Sequence, residues 1–263
     1  MPIRLLALLA AIAGGASLVA AQQPGQVQSA TARQVPTTRA TRTITAPTID
    51  GRLNDPAWAQ APVISGFIQN EPNDGRSVTE RTEVRMLFDD QAVYIGAWLF
   101  DSDPSAIVAG ESRRDVDLTQ LDAFLMVVDT YQDRQNAFVF GTSPMGVEYD
   151  GQVTSEGQGG SGQNVNITAT RQQRGTGSGL NVNWDGNWTV AATRDGAGWY
   201  AEFRIPFSTL RYPKGGAQSW GLNFSRNIRR KNEQAFWAPV PRQYTLLRVS
   251  LAGTVEGLDA PAH

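Results

Sequence analysis

The chain of 263 residues contains no cysteine, and its single histidine, His263, is the last residue. The absence of cysteine excludes disulfides, thiolate nucleophiles and cysteine-based metal sites. A histidine at the chain end is poorly placed for catalysis, so Ser-His-Asp, Cys-His and histidine-based metal mechanisms are excluded in their usual forms. Any acid–base chemistry would therefore depend on aspartate and glutamate.

A strong net charge and long apolar runs are also missing. The formal net charge of −2 supplies no field that would attract a polyanion, so nucleic acid is not expected as a partner. The basic residues are almost all arginine, since only Lys214 and Lys231 are lysines. No segment approaches the roughly 20 consecutive apolar residues that a membrane-spanning helix needs.

The N-terminus has the pattern of a secretory signal peptide. Arg4 precedes the apolar run Leu5–Ala13, and small residues follow up to Ala21. This pattern predicts a signal peptide over residues 1–21, with cleavage after Ala21. Residues 22–43 contain no aromatic residue and no apolar period, which favours a disordered leader. We expect an exported protein that is periplasmic, associated with the outer membrane or extracellular.

Alternation with period two predicts strands in the remainder of the chain. In Gly198–Ile205, for example, Trp199 and Phe203 share one face while polar residues occupy the other. Turns interrupt the pattern every eight to fifteen residues, and 26 glycines and 14 prolines supply them. We therefore predict an all-β fold over residues 44–257, a β-sandwich of jelly-roll or immunoglobulin-like type, with a tail over 258–263. Helical periodicity is confined to one or two short turns.

The chain has seven tryptophans, and each has two interpretations. Indole rings fill sandwich cores, but exposed ones also stack on the C–H faces of sugars. Their strand positions place Trp98, Trp199 and Trp220 in the core. Trp184, Trp188 and Trp237 lie in polar or proline-rich contexts, where either interpretation stands.

The charged residues also admit two interpretations. The Glu111–Asp117 cluster and the arginines after Phe224 could hydrogen-bond sugar hydroxyls, or they could form local ion pairs on solvated loops. The acidic turns at Asp89–Asp90, Asp101–Asp103 and Asp129–Asp133 could hold calcium, although none matches an EF-hand, and turn capping is the commoner role of aspartate. A glycosidase using two carboxylates is the least favoured alternative, because no acidic residue is singled out.

The stretch IDGRLNDPAW, residues 49–58, combines two turn signals with a tryptophan. Asp50 and Gly51 suit a tight turn. Asp55 can cap a short helical turn that begins at Pro56, where a missing N–H costs nothing. Trp58 is then expected to pack into the edge of the sandwich.

IDGRLNDPAW, together with DDQAVYI at residues 89–95, resembles the start of family 9 carbohydrate-binding modules and their relatives. Later segments narrow the resemblance to the N-terminal module of a bacterial envelope family, in which a family 9-like domain precedes a long outer-membrane β-barrel-like region. The segments are DAFLMVVDTYQDRQNAFVFGTSPMGVEYDGQ, WYAEFRIPF and SWGLNFSRNIRRKNEQAFWAPVPR. The similarity runs from about Ile44 to Gly257. The chain ends where such proteins continue into the barrel, so it is either a stand-alone version or a fragment.

The resemblance implies a β-sandwich that binds a saccharide without catalysis, as modules associated with O-glycosyl hydrolases do, and is accessory to polysaccharide catabolism. In the sugar-binding modules two aromatic residues clamp the ligand, and Trp184 and Trp237 are predicted for that role. Arg114, Asp115 and Arg226 are predicted to hydrogen-bond the hydroxyls. No cofactor is required, and calcium stays an alternative. The other class of function is a structural module, docked on an outer-membrane barrel or another envelope protein without binding sugar.

Overall fold

The computed structural model describes residues 35–114, 117–158 and 179–262, and their regular structure is almost entirely β. The predicted signal peptide, residues 22–34 of the predicted leader, and Asp115 lie outside the described residues. Strands β1 to β14 are, in order, Thr37–Arg39, Thr41–Arg42, Ile68–Glu71, Thr82–Phe88, Ala92–Phe100, Ala123–Asp129, Ala137–Thr142, Tyr149–Val153, Leu180–Asn181, Thr189–Asp195, Gly198–Pro206, Ala217–Ile228, Glu233–Phe236 and Gly253–Asp259. The 3-10 turns are Pro56–Gln60, Pro104–Ala106, Leu118–Gln120, Ser155–Gly157, Phe207–Thr209, Arg229–Lys231 and Val249–Leu251.

The strands form two sheets within the described residues. The larger has nine strands in the order β1-β14-β12-β6-β7-β8-β9, with β13 paired to β12 and β3 paired to β13. The smaller has five, in the order β10-β11-β5-β4-β2. Most neighbours are antiparallel, as expected for strands joined by turns rather than by long helices. The predicted β-sandwich is confirmed.

The main core lies between the two sheets. Phe124 on β6 meets Phe203 on β11 with ring centroids 6.0 Å apart. The side chains of Trp199 and Trp220 are 0% exposed, which confirms their predicted core positions. Trp98 differs, because it is half-buried on the outer face of the five-stranded sheet, edge-on to Trp58 at 6.2 Å.

A second apolar layer covers the other face of the nine-stranded sheet. Leu125 and Val127 point away from the main core because alternate residues of a strand face opposite sides. Residues 239–252, which we call the crossing segment, follow β13, cross this face and bury Leu246 and Leu247 against it. The crossing segment therefore hides apolar strand residues and also creates a recess where its coverage stops.

The IDGRLNDPAW segment is a joint between the edge of the sandwich and the five-stranded sheet. Trp58 is 2% exposed, and its Nε1–H donates to Oε1 of Glu202 at 2.9 Å. The other carboxylate oxygen of Glu202 accepts from the N–H groups of Asp50 and Gly51. The predicted core position of Trp58 is confirmed. The predicted cap at Asp55 is wrong: its carboxylate makes no capping bond and instead accepts from the Thr48 N–H at 3.0 Å, which closes the preceding loop.

Two strands of the described structure, β1 and β2, precede the predicted domain boundary at Ile44. Strand β1 runs parallel to β14, and β2 runs parallel to β4, so the last residues of the predicted leader extend both sheets. A strand at a sheet edge can be held by backbone hydrogen bonds without any alternation of apolar residues. The composition of this segment therefore did not predict strands β1 and β2. At the other end, β14 continues to Asp259, two residues past Gly257. In the described part of the chain, no helix is both long and apolar enough to cross a bilayer.

Candidate functional site

A recess of about 280 Å³ opens on the outer face of the nine-stranded sheet, beside the crossing segment. This volume is close to the lower end of ordinary small-molecule sites, about 300 Å³. Strands β3, β6, β12 and β13 contribute to it, as do the turns around residues 118 and 230 and the crossing segment. We call it the polar pocket; it is lined by Asn70, Glu71, Leu118, Thr119, Leu125, Asn227, Arg229, Asn232, Gln234, Arg242, Tyr244 and Thr245.

Two leucines form the apolar base of the polar pocket. Leu118 and Leu125 are 5% and 4% exposed, and both belong to the second apolar layer. Asn227 fixes the turn that carries Leu118, because its amide Nδ2 lies 2.6 Å from the Leu121 carbonyl oxygen and 3.2 Å from that of Thr119. One side chain on β12 thus sets the shape of this side of the recess.

Tyr244 supplies the aromatic surface of the polar pocket. It is half-buried, and the guanidinium of Arg248 lies over one face of its ring, 4.7 Å from the centroid. Arg248 is itself anchored by an ion pair with Glu156 at 2.6 Å. The guanidinium covers this face of the ring, so a ligand could stack only on the opposite face.

Several polar groups of the polar pocket are not used within the protein. The side-chain amide of Gln234, the oxygen Oδ1 of Asn227 and the hydroxyl of Tyr244 make no hydrogen bond to other residues that the structure describes. Amide and phenol groups both donate and accept. Unsatisfied groups of this kind beside an apolar base match the alternating hydroxyl and C–H surfaces of a polyol such as a sugar.

Trp237, predicted to clamp a sugar, lies in the main core. Its side chain is 6% exposed, and its ring centroid is 6.0 Å from that of Phe224. A ring buried to this extent presents no face to a ligand, so we do not retain it as a binding residue. Its proline-rich context suggested exposure, but the prolines belong to the crossing segment that covers the sheet.

Arg226, predicted to bind hydroxyls, is also internal. It is 0% exposed and donates to the carbonyl oxygens of Phe100 at 2.6 Å and Arg81 at 3.0 Å, and to the Thr82 hydroxyl at 2.7 Å. Burial lowers the pKa of its guanidinium to about 10. The side chain links β12 to β4 and β5, so its role is to join the two sheets.

Trp184 and Arg114 lie at one end of the sandwich, away from the residues that line the polar pocket. Trp184 is half-buried against Phe138 and Phe140, with centroid distances of 5.1 and 5.9 Å. Arg114 pairs with Glu148, Asp150 and Asp185, the residue after Trp184. The structure thus brings these two predicted residues to the same end and separates them from Trp237 and Arg226. Asp115 lies outside the described residues.

Sequence reasoning missed most of the polar pocket because its lining comes from positions 70 to 245, none of which forms a local motif. The one signal was the basic run after Phe224, which contains Arg229. Pairing of β13 with both β12 and β3 is what brings the separate segments together.

The acidic turns proposed for calcium act as turn caps. Oδ1 of Asp89 accepts from the N–H groups of Gln91 and Ala92, and Oδ1 of Asp133 accepts from those of Gln135 and Asn136. Over residues 35–114, 117–158 and 179–262, no group of three or more acidic or histidine side chains is placed to hold a metal ion. Calcium binding stays a prediction without an assigned site.

Comparison with known proteins agrees with the sandwich architecture. A protein from Bacteroides uniformis ATCC 8492, proposed to be carbohydrate-binding, superposes with a TM-score of 0.57 at 11% identity, over 84% of this chain and 97% of that one. A carbohydrate binding module family 9 (CBM9) from Caldicellulosiruptor kristjanssonii, in complex with glucose, superposes with a TM-score of 0.50 at 17% identity, over 84% and 95% of the two chains. No curated protein sequence matches the chain. The sequence profile of one family does match, over residues 49–236, and the chain therefore belongs to the family described as carbohydrate family 9 binding domain-like.

Proposed function

We propose that this protein binds a saccharide in the polar pocket and does not act on it chemically. The observation that carries the proposal is the combination, in one recess, of an apolar base, a tyrosine ring and two amide oxygens, those of Gln234 and Asn227, that accept no hydrogen bond from the described residues. Membership of the family supports it, and so does the structural similarity to a module in complex with glucose. A sugar ring would stack on the free face of Tyr244, with its hydroxyls hydrogen-bonded to Gln234 and Asn227.

Calorimetric titration of the full chain against a panel of mono- and oligosaccharides tests this proposal. We expect the best ligand to bind the Tyr244→Ala variant about tenfold more weakly, a loss of roughly 1.4 kcal/mol, because the stacking surface is removed. Tyr131→Ala is the matched control, since Tyr131 is 56% exposed and lies outside the polar pocket. Absence of binding across the whole panel would reject the proposal.

The same titration distinguishes between two candidate binding sites, the polar pocket and the surface around Trp184 at the end of the sandwich. A half-exposed indole beside an arginine is the alternative platform that the sequence predicted. We expect Trp184→Ala to leave saccharide affinity within about twofold of wild type, because mutations outside a binding site contribute little to it. If Trp184→Ala abolishes binding while Tyr244→Ala does not, the site belongs at Trp184.

Export and an accessory role in polysaccharide catabolism form the cellular part of the proposal. The signal peptide pattern over residues 1–21 supports export. Intact-mass measurement of the protein from a Gram-negative host should give a mature chain beginning at Gln22, and retention of residues 1–21 would reject processing. Docking on an outer-membrane barrel is the alternative that gains support if no saccharide binds.

A further inference from the structure

The polar pocket carries more positive than negative charge. Arg229 and Arg242 both line it, whereas the exposed Glu71 is the only carboxylate among the described residues that line it. Neither arginine forms an ion pair with any described residue, although Arg114, Arg230 and Arg248 all do. Because the whole chain has a formal net charge of −2, this excess is a local property of the recess.

Neutral oxygen atoms hold both guanidinium groups in position. Arg229 donates to the side-chain oxygens of Gln120, at 2.8 Å, and of Asn232. Arg242 donates to the backbone carbonyl oxygens of Asn70, at 3.1 Å, and Pro72. These contacts orient the groups without neutralising them, and a guanidinium has five N–H donors, so each retains donors for a ligand.

A carboxylate is the ligand group best suited to two guanidinium groups that are not neutralised within the protein. Guanidinium–carboxylate hydrogen bonds are short, charge-assisted and about twice as strong as neutral ones. We propose that the polar pocket selects an acidic saccharide, a hexuronate whose carboxylate binds Arg229 and Arg242 while its ring lies against Tyr244. This inference rests on the proposed function. It adds that the ligand is anionic, and that the two arginines discriminate it from neutral sugars.

The test compares two ligands that differ in charge at one carbon, methyl β-D-glucuronide and methyl β-D-glucoside. Titrated into the full chain by calorimetry at low ionic strength, the glucuronide should bind at least about tenfold more tightly, as one charge-assisted hydrogen bond provides. Raising the salt concentration to 0.5 M should lower the affinity for the glucuronide and leave the affinity for the glucoside unchanged, since salt screens exposed charges.

Substitutions then assign the selectivity to the two arginines. Arg229→Gln and Arg242→Gln should each lower glucuronide affinity severalfold, and the double variant should lose the preference for the glucuronide over the glucoside. Arg194→Gln makes the same charge change at an exposed position on β10 and should retain the full selectivity. Glu71→Gln should raise glucuronide affinity, because it removes a negative charge beside the ligand.

The outcomes separate this inference from the function on which it rests. Equal binding of both ligands by the wild-type chain overturns the acidic selectivity and leaves saccharide binding standing. Equal loss of both ligands in the arginine variants, with thermal unfolding unchanged, also overturns it, since the arginines would then serve hydroxyls. If no sugar in the wider panel binds, the proposed function fails and the selectivity fails with it.

Discussion

Gly51 occupies a position that another residue could not adopt without strain. Its φ is +83°, and a Cβ placed there would lie 2.8 Å from a backbone atom of Ala192. Its N–H also donates to the buried carboxylate of Glu202 at 2.7 Å. Both the backbone conformation and the close approach therefore require glycine in the IDG sequence.

Gly51→Ala should consequently lower the free energy of unfolding by about 2 kcal/mol or more, because it adds steric overlap to the cost of a left-handed conformation. Gly75→Ala is the matched control: its φ is also +83°, but no atom lies within 4 Å of the added Cβ. The control should cost only about 1 kcal/mol. Urea unfolding of both variants measures the difference, and equal costs would show that the contact with Ala192 is unimportant.

Asp122 is a buried carboxylate in which only one of the two oxygens accepts a hydrogen bond from a described residue. It is 0% exposed; Oδ2 accepts from the Val108 N–H at 2.8 Å, while Oδ1 has no partner among the described residues. Burial raises the pKa of Asp122 above its ordinary value of 3.8. The folded chain therefore keeps this proton to a higher pH than the unfolded chain does.

The raised pKa fixes the sign of a pH effect. As pH rises from 3.8 through the folded-state pKa, the unfolded chain loses the proton first, so the contribution of Asp122 to stability falls, by at most about 1.4 kcal/mol per pH unit. Asp122→Asn cannot titrate, and its stability relative to wild type should increase over that window. Urea unfolding of both proteins between pH 4 and 7 measures this, and a constant difference would refute it.

At the scale of elements, the short strands β1 and β2 tie the N-terminal segment to both sheets. Thr37–Arg39 pairs with β14 of the larger sheet, and Thr41–Arg42 pairs with β4 of the smaller one. Ala40, between them, is 3% exposed. These five paired residues thus close one edge of each sheet.

A chain starting at Ile44 should be less stable than one starting at Val35, by roughly 2 kcal/mol, because several backbone hydrogen bonds worth about 1 kcal/mol each are lost. Thermal or urea unfolding of the two chains makes the comparison. If the two chains are equally stable, residues 35–43 do not contribute to the stability of the domain, and the predicted domain boundary at Ile44 is correct.

At the scale of the whole molecule, the sequence predicted the strands better than the site. Alternation located β11 to within one residue, predicted as Gly198–Ile205 and found as Gly198–Pro206, because one face of this strand is uniformly apolar. Alternation carries no information on which strands pair at a distance, and β3 and β13, which help to form the polar pocket, are too short to show it.

Trp237 and Arg226, two of the predicted binding residues, are buried for the same physical reason. Trp237 follows β13, and Arg226 lies near the end of β12, in contexts rich in charge or proline that usually mark a surface. The five-stranded sheet covers Arg226, and Trp237 lies in the main core between the two sheets. Burial by parts of the chain distant in sequence cannot be read from local composition, whereas Trp58 was correctly predicted because its turn signals are local.

The most direct test of the central claim is a crystal structure of the chain with the tightest-binding saccharide of the panel. We expect a sugar ring in the polar pocket, against the face of Tyr244 opposite Arg248, with hydroxyls within hydrogen-bonding distance of Gln234 and Asn227. A sugar bound at Trp184 with the polar pocket empty would contradict the claim.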